Sequence, residues 1–348
     1  MRFGLGIKYR MKLTTYERIC HHFGLNNVKE LQSAKSLKRL ILYFDKSAYS
    51  VSILRALSIK KALLSMKGLE ELSIIPQESP LTIKRPFSIL PYCKYTMTKL
   101  KKITFELPFF QVVTRLLEGL KLFLANHPNI EHVKLNYEGD EISEDDHLLM
   151  IQAMGMLTKV KSLQIGYNWC TVTPSQELQN ITRTRHFDLK SLHLSIVNTQ
   201  ITSESLSFLV NRFVSRAPPS QFSITILNSP AFRQEQFDIF SKALAGFSEL
   251  EDLTIRLAPN CEISENQRSA FYNGLDSLKK LTTFTLELKP QLGNMNDYDL
   301  EMLGSKLQKL KQLQYLDLSF DTNYDITDQG CQTLFKGISH LTNLQTFI

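Results

Sequence analysis

Residues 313–343 read LQYLDLSFDTNYDITDQGCQTLFKGISHLTN, and this stretch decides the fold. From Leu316 to Phe320, apolar residues alternate with other residues, which predicts a strand with one buried face. A polar turn follows, from Asp321 to Asp328. Apolar residues then recur at spacings of four and three, at Leu334, Ile338 and Leu341. This spacing is typical of an amphipathic helix, so the stretch predicts one strand–turn–helix unit.

The same unit returns along nearly the whole chain, with successive strand phrases 29 to 32 residues apart. A single globular core does not require such regularity. Stacked units do, because each must present its apolar edge to the next at the same height. The central apolar residues of the strand phrases are Leu40, Leu72, Ile103, Val133, Leu163, Leu192, Ile224, Leu253, Phe284, Leu316 and Phe347.

We therefore predict an α/β solenoid over residues 37–348, with ten units and the start of an eleventh. Parallel strands are expected on the concave face and helices on the convex face. The reason is that helices need about 10 Å of lateral room and strands about 4.8 Å. Strand side chains that alternate with the buried ones should point to the concave side, and we call this surface the inner face.

The units resemble leucine-rich repeats of the ribonuclease-inhibitor-like class, and especially the expanded repeat families of ciliated protozoa. The resemblance lies in the LxxLxLxL phrase, in polar turns such as DIT or EIS, and in the helix that follows. It implies a right-handed βα horseshoe used for protein–protein binding. The Asn that the family carries after each strand is present as Asn168 but is replaced in other units. Backbone groups between turns are therefore expected to find other partners.

Residues 1–36 are predicted to form a separate basic segment. Within it, residues 14–24 (TTYERICHHFG) read as a short helix that ends at Gly24 and caps the first strand. The whole net charge of +7 lies in the first 40 residues, because the rest of the chain contains equal numbers of basic and acidic side chains. Three interpretations stay open: a solvated charged end, a docking arm for an acidic partner, or a mitochondrial transit sequence.

Composition favours an ordinary cytoplasmic protein. The chain is 43% hydrophobic and 22% charged, and none of its apolar runs approaches the roughly 20 residues that span a bilayer. Its first residues lack the apolar core of a secretory signal. The five cysteines are scattered, without a C-x-x-C pair, which is typical of free thiols in a reducing compartment.

Catalytic and metal-binding patterns are missing from the sequence. It contains no H-E-x-x-H, P-loop or G-x-S-x-G motif. His132 and His193 fall on the predicted inner face two units apart, roughly 10 Å, which is too far to share one ion. The inner face carries nearly balanced charges and only Tyr43 and Tyr315 as aromatics, unlike a nucleic-acid groove. We predict no enzymatic activity, no cofactor, no metal, no small-molecule substrate, and no nucleic-acid or membrane partner.

Protein partners remain the expected ligands. Interface hot spots favour Tyr, Trp and Arg, which selects four inner-face residues. A basic arm and an open terminal strand supply the other candidates. The candidate partner-binding residues are Arg2, Lys8, Arg10, Lys12, Arg39, Tyr43, Arg256, Tyr315, Phe347 and Ile348.

The predicted function is a non-enzymatic interaction scaffold within a larger cytoplasmic or cytoskeletal assembly. The resemblance to ciliate repeat families implies a ciliary or axonemal assembly. Two alternatives stay open, both through resemblance to families that share the fold. One is a regulator of a small GTPase, similar to Ran GTPase-activating proteins, and the other is a substrate adaptor of a ubiquitin ligase.

Overall fold

The computed structural model falls into two compact units. The N-terminal unit contains Met1–Val160 with Asn180–Arg185, and the C-terminal unit contains Lys161–Gln179 with His186–Ile348. The structure describes residues 17–20, 37–44, 63, 65–76, 97–107, 113–138, 149, 152–153, 156, 158–168, 171–172, 189–201, 203, 206–207, 219–228, 234–258, 263–288, 295–320 and 325–348.

The described residues of the N-terminal unit form five parallel strands, each hydrogen-bonded to the next in chain order. Helix α1 (Val113–Ala125) lies between the last two strands in the chain. Its Phe123 packs edge-on against Phe105 of the sheet, with ring centroids 6.0 Å apart. The strands are β1 (Glu17–Cys20), β2 (Arg39–Phe44), β3 (Glu71–Pro76), β4 (Lys102–Leu107) and β5 (His132–Glu138).

Strand β1 corrects the prediction of a helix over residues 14–24. Glu17–Cys20 is a strand that pairs with β2 in parallel, with Glu17 opposite Arg39. The other residues of that segment lie outside the described part of the chain. The physical reason is the edge of β2, whose backbone N–H and C=O groups a strand can pair and a helix cannot.

The C-terminal unit has the same plan, and in its described part seven parallel strands pair in one sheet. They are β6 (Ser162–Asn168), β8 (Ser191–Val197), β10 (Gln221–Leu227), β11 (Asp252–Ala258), β12 (Thr283–Leu288), β13 (Tyr315–Phe320) and β14 (Thr346–Phe347). Strands β7 (Thr171–Val172) and β9 (Gln200–Ile201) form a separate parallel pair.

Four helices of this unit follow successive strands. They are α2 (Gln234–Leu244), α3 (Glu265–Gly274), α4 (Asp297–Leu307) and α5 (Asp328–Ile338). A short 3₁₀ turn, Leu275–Ser277, follows α3. The helices pack on the buried face of the sheet, because Phe240 of α2 stacks on Phe222 of β10 with centroids 6.3 Å apart.

The strand register confirms the predicted repeat with one correction. Leu40, Leu72, Ile103 and Val133 lie opposite one another in turn, as do Leu253, Phe284, Leu316 and Phe347. Leu163 lies opposite Leu192. Between Leu192 and Leu253, however, the residue in register is Phe222 and not Ile224. The error is two residues, which leaves both side chains on the buried face, so the predicted burial is still correct.

Backbone carbonyls just before the strands link each strand–turn–helix repeat to the next one. Lys38 O accepts the backbone N–H groups of Glu70 and Glu71, at 2.7 and 2.9 Å. Glu251 O accepts those of Thr282 and Thr283 in the same way, at 2.8 and 3.0 Å. After the strands, where the Asn of the family would lie, Asn198 donates its backbone N–H to Leu227 O and Asn228 to Ala258 O, at 2.9 and 3.1 Å. These backbone groups therefore have partners other than an Asn side chain.

In the C-terminal unit, a capping bond begins one helix, and an ion pair and a close glycine contact link neighbouring helices. Gln267 Oε1 accepts the Ser264 backbone N–H at 3.1 Å, which forms that half of the capping box predicted at the start of α3. Arg268 of α3 and Asp299 of α4 form a buried ion pair at 2.9 Å. Helices α4 and α5 touch through glycines, since a Cβ on Gly337 would lie 2.3 Å from Gly304 O.

Candidate protein-binding surfaces

The inner face of the N-terminal unit carries a line of ion pairs. Glu71 of β3 lies between Arg39 of β2 and Lys102 of β4, with N–O distances of 3.3 and 3.6 Å. The three residues are directly opposite one another in the sheet. All three are partly exposed, so the pairs contribute little stability but hold the charged groups in place. The predicted binding residue Arg39 is therefore half-exposed and already paired.

The inner face of the C-terminal unit is mostly uncharged. Its one ion pair among the described residues joins the predicted binding residue Arg256 to Glu287, directly opposite on β12, at 3.3 Å. Tyr315, also predicted, is half-buried on β13 between Thr283 and Thr346 of the adjacent strands. Hydroxyl and amide groups occupy many of the other strand positions, among them Ser191, Gln221, Ser223, Thr254 and Thr285.

His193 and Asp252 stand out on this surface. His193 Nε2 lies 3.1 Å from the hydroxyl of Ser191, two residues earlier on the same strand. Burial lowers the pKa of the His193 imidazole from its ordinary value, and the nearby Asp252 charge partly opposes this. Burial also raises the pKa of the Asp252 carboxyl, with His193 opposing. No sequence motif connects these residues, and only the sheet brings them into electrostatic contact.

A terminal apolar surface, which we define as Phe335, Phe347 and Ile348, lies at the last strand of the sheet. These residues are 53%, 45% and 64% exposed, and the two Phe rings meet edge-on with centroids 6.2 Å apart. Ile348 donates its backbone N–H to Leu316 O and accepts from Leu318 N, at 3.0 and 3.1 Å. The structure thus brings Phe335 into contact with Phe347, one of the two predicted residues at this strand.

Sequence reasoning missed Phe335, although a signal was present. Phe335 is the eighth residue after the N-cap Thr327, the offset at which Tyr272 follows Ser264. Tyr272 is buried, and burial raises the pKa of its hydroxyl. Tyr272 interacts with the charge of Asp299 on the following helix, α4, so this helix position lies toward the next helix of the layer.

The remaining predicted residues fall partly outside the described structure. Tyr43 belongs to β2 by its backbone. The basic residues Arg2, Lys8, Arg10 and Lys12 lie outside the described residues. Over the described ranges, no three His, Cys, Asp or Glu side chains are grouped so that they could hold a metal ion. The described helices include none that is long and apolar enough to cross a bilayer.

The geometry defines the class of protein. Parallel strands in register, with the described helices on one face of the sheet, form a leucine-rich repeat α/β solenoid. No protein-family model matches the sequence, and none of the curated proteins matches it. Among solved structures, the chain is similar to TLR13 in a complex with ssRNA13. That match has 14% identity and a TM-score of 0.41, covers 93% of this chain, and spans about half (51%) of the TLR13 chain.

Proposed function

We propose that this chain is a non-enzymatic scaffold for protein–protein interaction. The observation that carries the proposal is the inner face, where side chains of neighbouring parallel strands stand directly opposite one another in a fixed register. A surface ordered before binding lowers the entropy cost of association. A leucine-rich repeat fold fits such a role, although many functions can share one fold.

Tyr315 is the inner-face residue with which we test this proposal. Its ring is half-buried and is the kind of side chain that anchors interfaces. Tyr298, 44% exposed on α4, is a matched control because it is the same residue type on a helix. The experiment is affinity purification from native cells with mass spectrometry, using the wild-type chain, Tyr315→Ala and Tyr298→Ala.

We expect wild type and Tyr298→Ala to capture the same set of proteins, and Tyr315→Ala to lose part of it. Capture of no protein above a tagged control would contradict the scaffold function. Equal capture by all three chains would remove Tyr315 from the binding surface.

The terminal apolar surface is a second proposed contact region. Its three apolar side chains are 53%, 45% and 64% exposed, and contiguous exposed apolar area is a feature of protein interaction sites. Phe347→Ser is expected to weaken capture of some partners. Leu122→Ser is the control, because Leu122 lies on α1 and is as exposed as Phe335. It should leave the captured set of proteins unchanged.

The basic N-terminal segment is a third proposed contact region. Arg2, Lys8, Arg10 and Lys12 would attract an acidic partner through an interaction that salt screens. Deleting residues 1–16 should preserve the thermal unfolding midpoint and weaken capture of partners that elute at moderate salt. A large fall in the midpoint would instead assign the segment a capping role.

The cellular setting is also a proposal. We propose a cytoplasmic protein that forms part of a cytoskeletal assembly, and a ciliary one from the resemblance to ciliate repeat families. Fluorescence microscopy of the tagged chain would test this location. The regulator of a small GTPase and the ubiquitin-ligase adaptor draw support only from the fold they would share with this chain.

A further inference from the structure

The carboxylates of the inner face differ in their charge partners. Glu71 contacts two cations and Glu287 contacts Arg256. Asp252 is half-buried on β11, and in the described part of the chain no Lys or Arg forms an ion pair with it. A partly desolvated carboxylate without a cation is unfavourable, since burial removes water that would solvate its charge.

Uncharged acceptors surround Asp252. Gln221 lies directly opposite on β10 and Thr283 directly opposite on β12. Thr254 is the next inner-face residue on the same strand, and His193 is close enough to interact electrostatically. Each of these side chains carries an oxygen or a ring nitrogen that can accept a hydrogen bond.

At neutral pH, the ionised form of Asp252 has no described Lys or Arg to pair with. The lowered pKa of His193 keeps its imidazole neutral there, so the ring does not neutralise Asp252. On the same strand, Arg256 is already paired with Glu287. The group that complements this arrangement is a cation with several hydrogen-bond donors.

We propose that Asp252, with Gln221, Thr283 and His193 around it, binds the guanidinium group of an arginine presented by a protein partner. The inference rests on the proposed scaffold function and names the chemistry of one contact. A guanidinium offers five donors in a plane, which suits a carboxylate flanked by amide and hydroxyl oxygens. It is also more weakly hydrated than a lysine ammonium, so it enters a half-buried site more readily.

The test uses the full chain and three peptides with blocked ends. Their sequence is Ala-Ala-X-Ala-Ala, where X is arginine, lysine or citrulline, the last being a neutral analogue of similar shape. Each peptide is titrated into the protein while NMR follows backbone amides of β8, β10 and β11 and the His193 ring. We expect saturable shifts at these strands with arginine, weaker ones with lysine, and none with citrulline.

Two variants separate the site from general charge attraction. Asp252→Asn should lower the affinity for the arginine peptide at least tenfold, because the charge is lost and the shape is kept. Asp317→Asn is the matched control. Asp317 of β13 is likewise half-buried on the inner face without an ion pair to a described Lys or Arg, but its neighbour on β12 is Thr285 and no described amide or imidazole side chain lies opposite it. This variant should change the affinity less than twofold. Bound arginine should also lower the pKa of His193, because it adds a positive charge beside the ring.

Equal binding of citrulline, no effect of Asp252→Asn, or no shifts localised to these strands would overturn the arginine site. The scaffold function is tested separately from the arginine site, and it is contradicted if the wild-type chain captures no protein from native cells. Capture of identical proteins by wild type and Asp252→Asn would leave the scaffold standing and argue against the site.

Discussion

The inner faces of the two units differ in how their charged side chains are paired, although within each unit neighbouring strands pair in register. In the N-terminal unit, Arg39, Glu71 and Lys102 form a continuous line of ion pairs across three strands. In the C-terminal unit, the comparable row runs through Gln221, Asp252 and Thr283, with no cation among them. The strand pairing therefore determines where the inner-face side chains lie. The residue types at those positions determine whether a charged group on the surface is already paired or is available to a partner.

The buried faces of the two units should be equally sensitive to the loss of a core side chain. Such substitutions are expected to have the largest effects on stability. Leu72 of β3 and Leu316 of β13 are both fully buried central residues of their strands. Replacing either by Ala should lower the free energy of unfolding by about 2–5 kcal/mol, measured by urea denaturation. Leu122→Ala, on an exposed side chain, is the control and should change it by less than about 0.5 kcal/mol. A near-zero effect at Leu72 or Leu316 would contradict the strand phase in that unit.

A second expected effect concerns the close helix contact in the C-terminal unit. In Gly337→Ala, the new methyl group would lie 2.3 Å from Gly304 O, so α5 must move away from α4. We expect a loss of about 1–3 kcal/mol. Gly274→Ala is the graded control, because its Cβ would lie 3.1 Å from its nearest neighbours and needs a smaller shift. Thermal unfolding that ranks Gly274→Ala as the more damaging change would be inconsistent with this packing.

The titration of His193 sharpens the contrast between the inner faces. Across the sheet, His193 of β8 lies between Gln164 of β6 and Ser223 of β10, and the charged group that interacts with its ring is Asp252 of β11. NMR titration should give a pKa below the ordinary 6.5. Asp252→Asn should lower it further, because the carboxylate favours the protonated ring. A rise in that variant would contradict the assigned interaction.

The same shift has a consequence for stability. A histidine whose pKa is lowered on folding is protonated first in the unfolded chain as the pH falls. Stability should therefore be complete above the ordinary pKa of 6.5 and should decrease as the pH falls from there toward the lowered value. His193→Gln should remove this part of the pH dependence when unfolding is measured between neutral and mildly acidic pH.

The smallest expected effect compares the two carboxylates directly. Glu71→Gln leaves Arg39 and Lys102 without their common partner, and because all three are partly exposed the loss should be less than about 1 kcal/mol. Asp252→Asn should give no loss and a slight gain at neutral pH, since burial disfavours the ionised carboxyl. Denaturant unfolding of both variants in one buffer checks the sign. A loss at Asp252 larger than at Glu71 would reverse the comparison.

The pattern of apolar and polar residues within each segment was enough to predict most of the fold. Alternation with period two marks a buried strand face without reference to any other part of the chain, and the repeat of that phrase marks stacked units. For this reason the central residues from Leu40 to Leu316 were predicted to be buried and are buried. The single register error, Ile224 for Phe222, arose because both residues satisfy the alternation and only the neighbouring strands distinguish them.

The sequence by itself thus determined the period, the buried face and the strand–helix order, because these depend on residues close together in the chain. The tertiary structure alone decided that Glu17–Cys20 pairs as a strand, that Phe335 joins Phe347, and that His193 and Asp252 interact. Each of these depends on what lies opposite in space. An unpaired strand edge, an uncovered aromatic ring or a half-buried charge has no signature within its own segment.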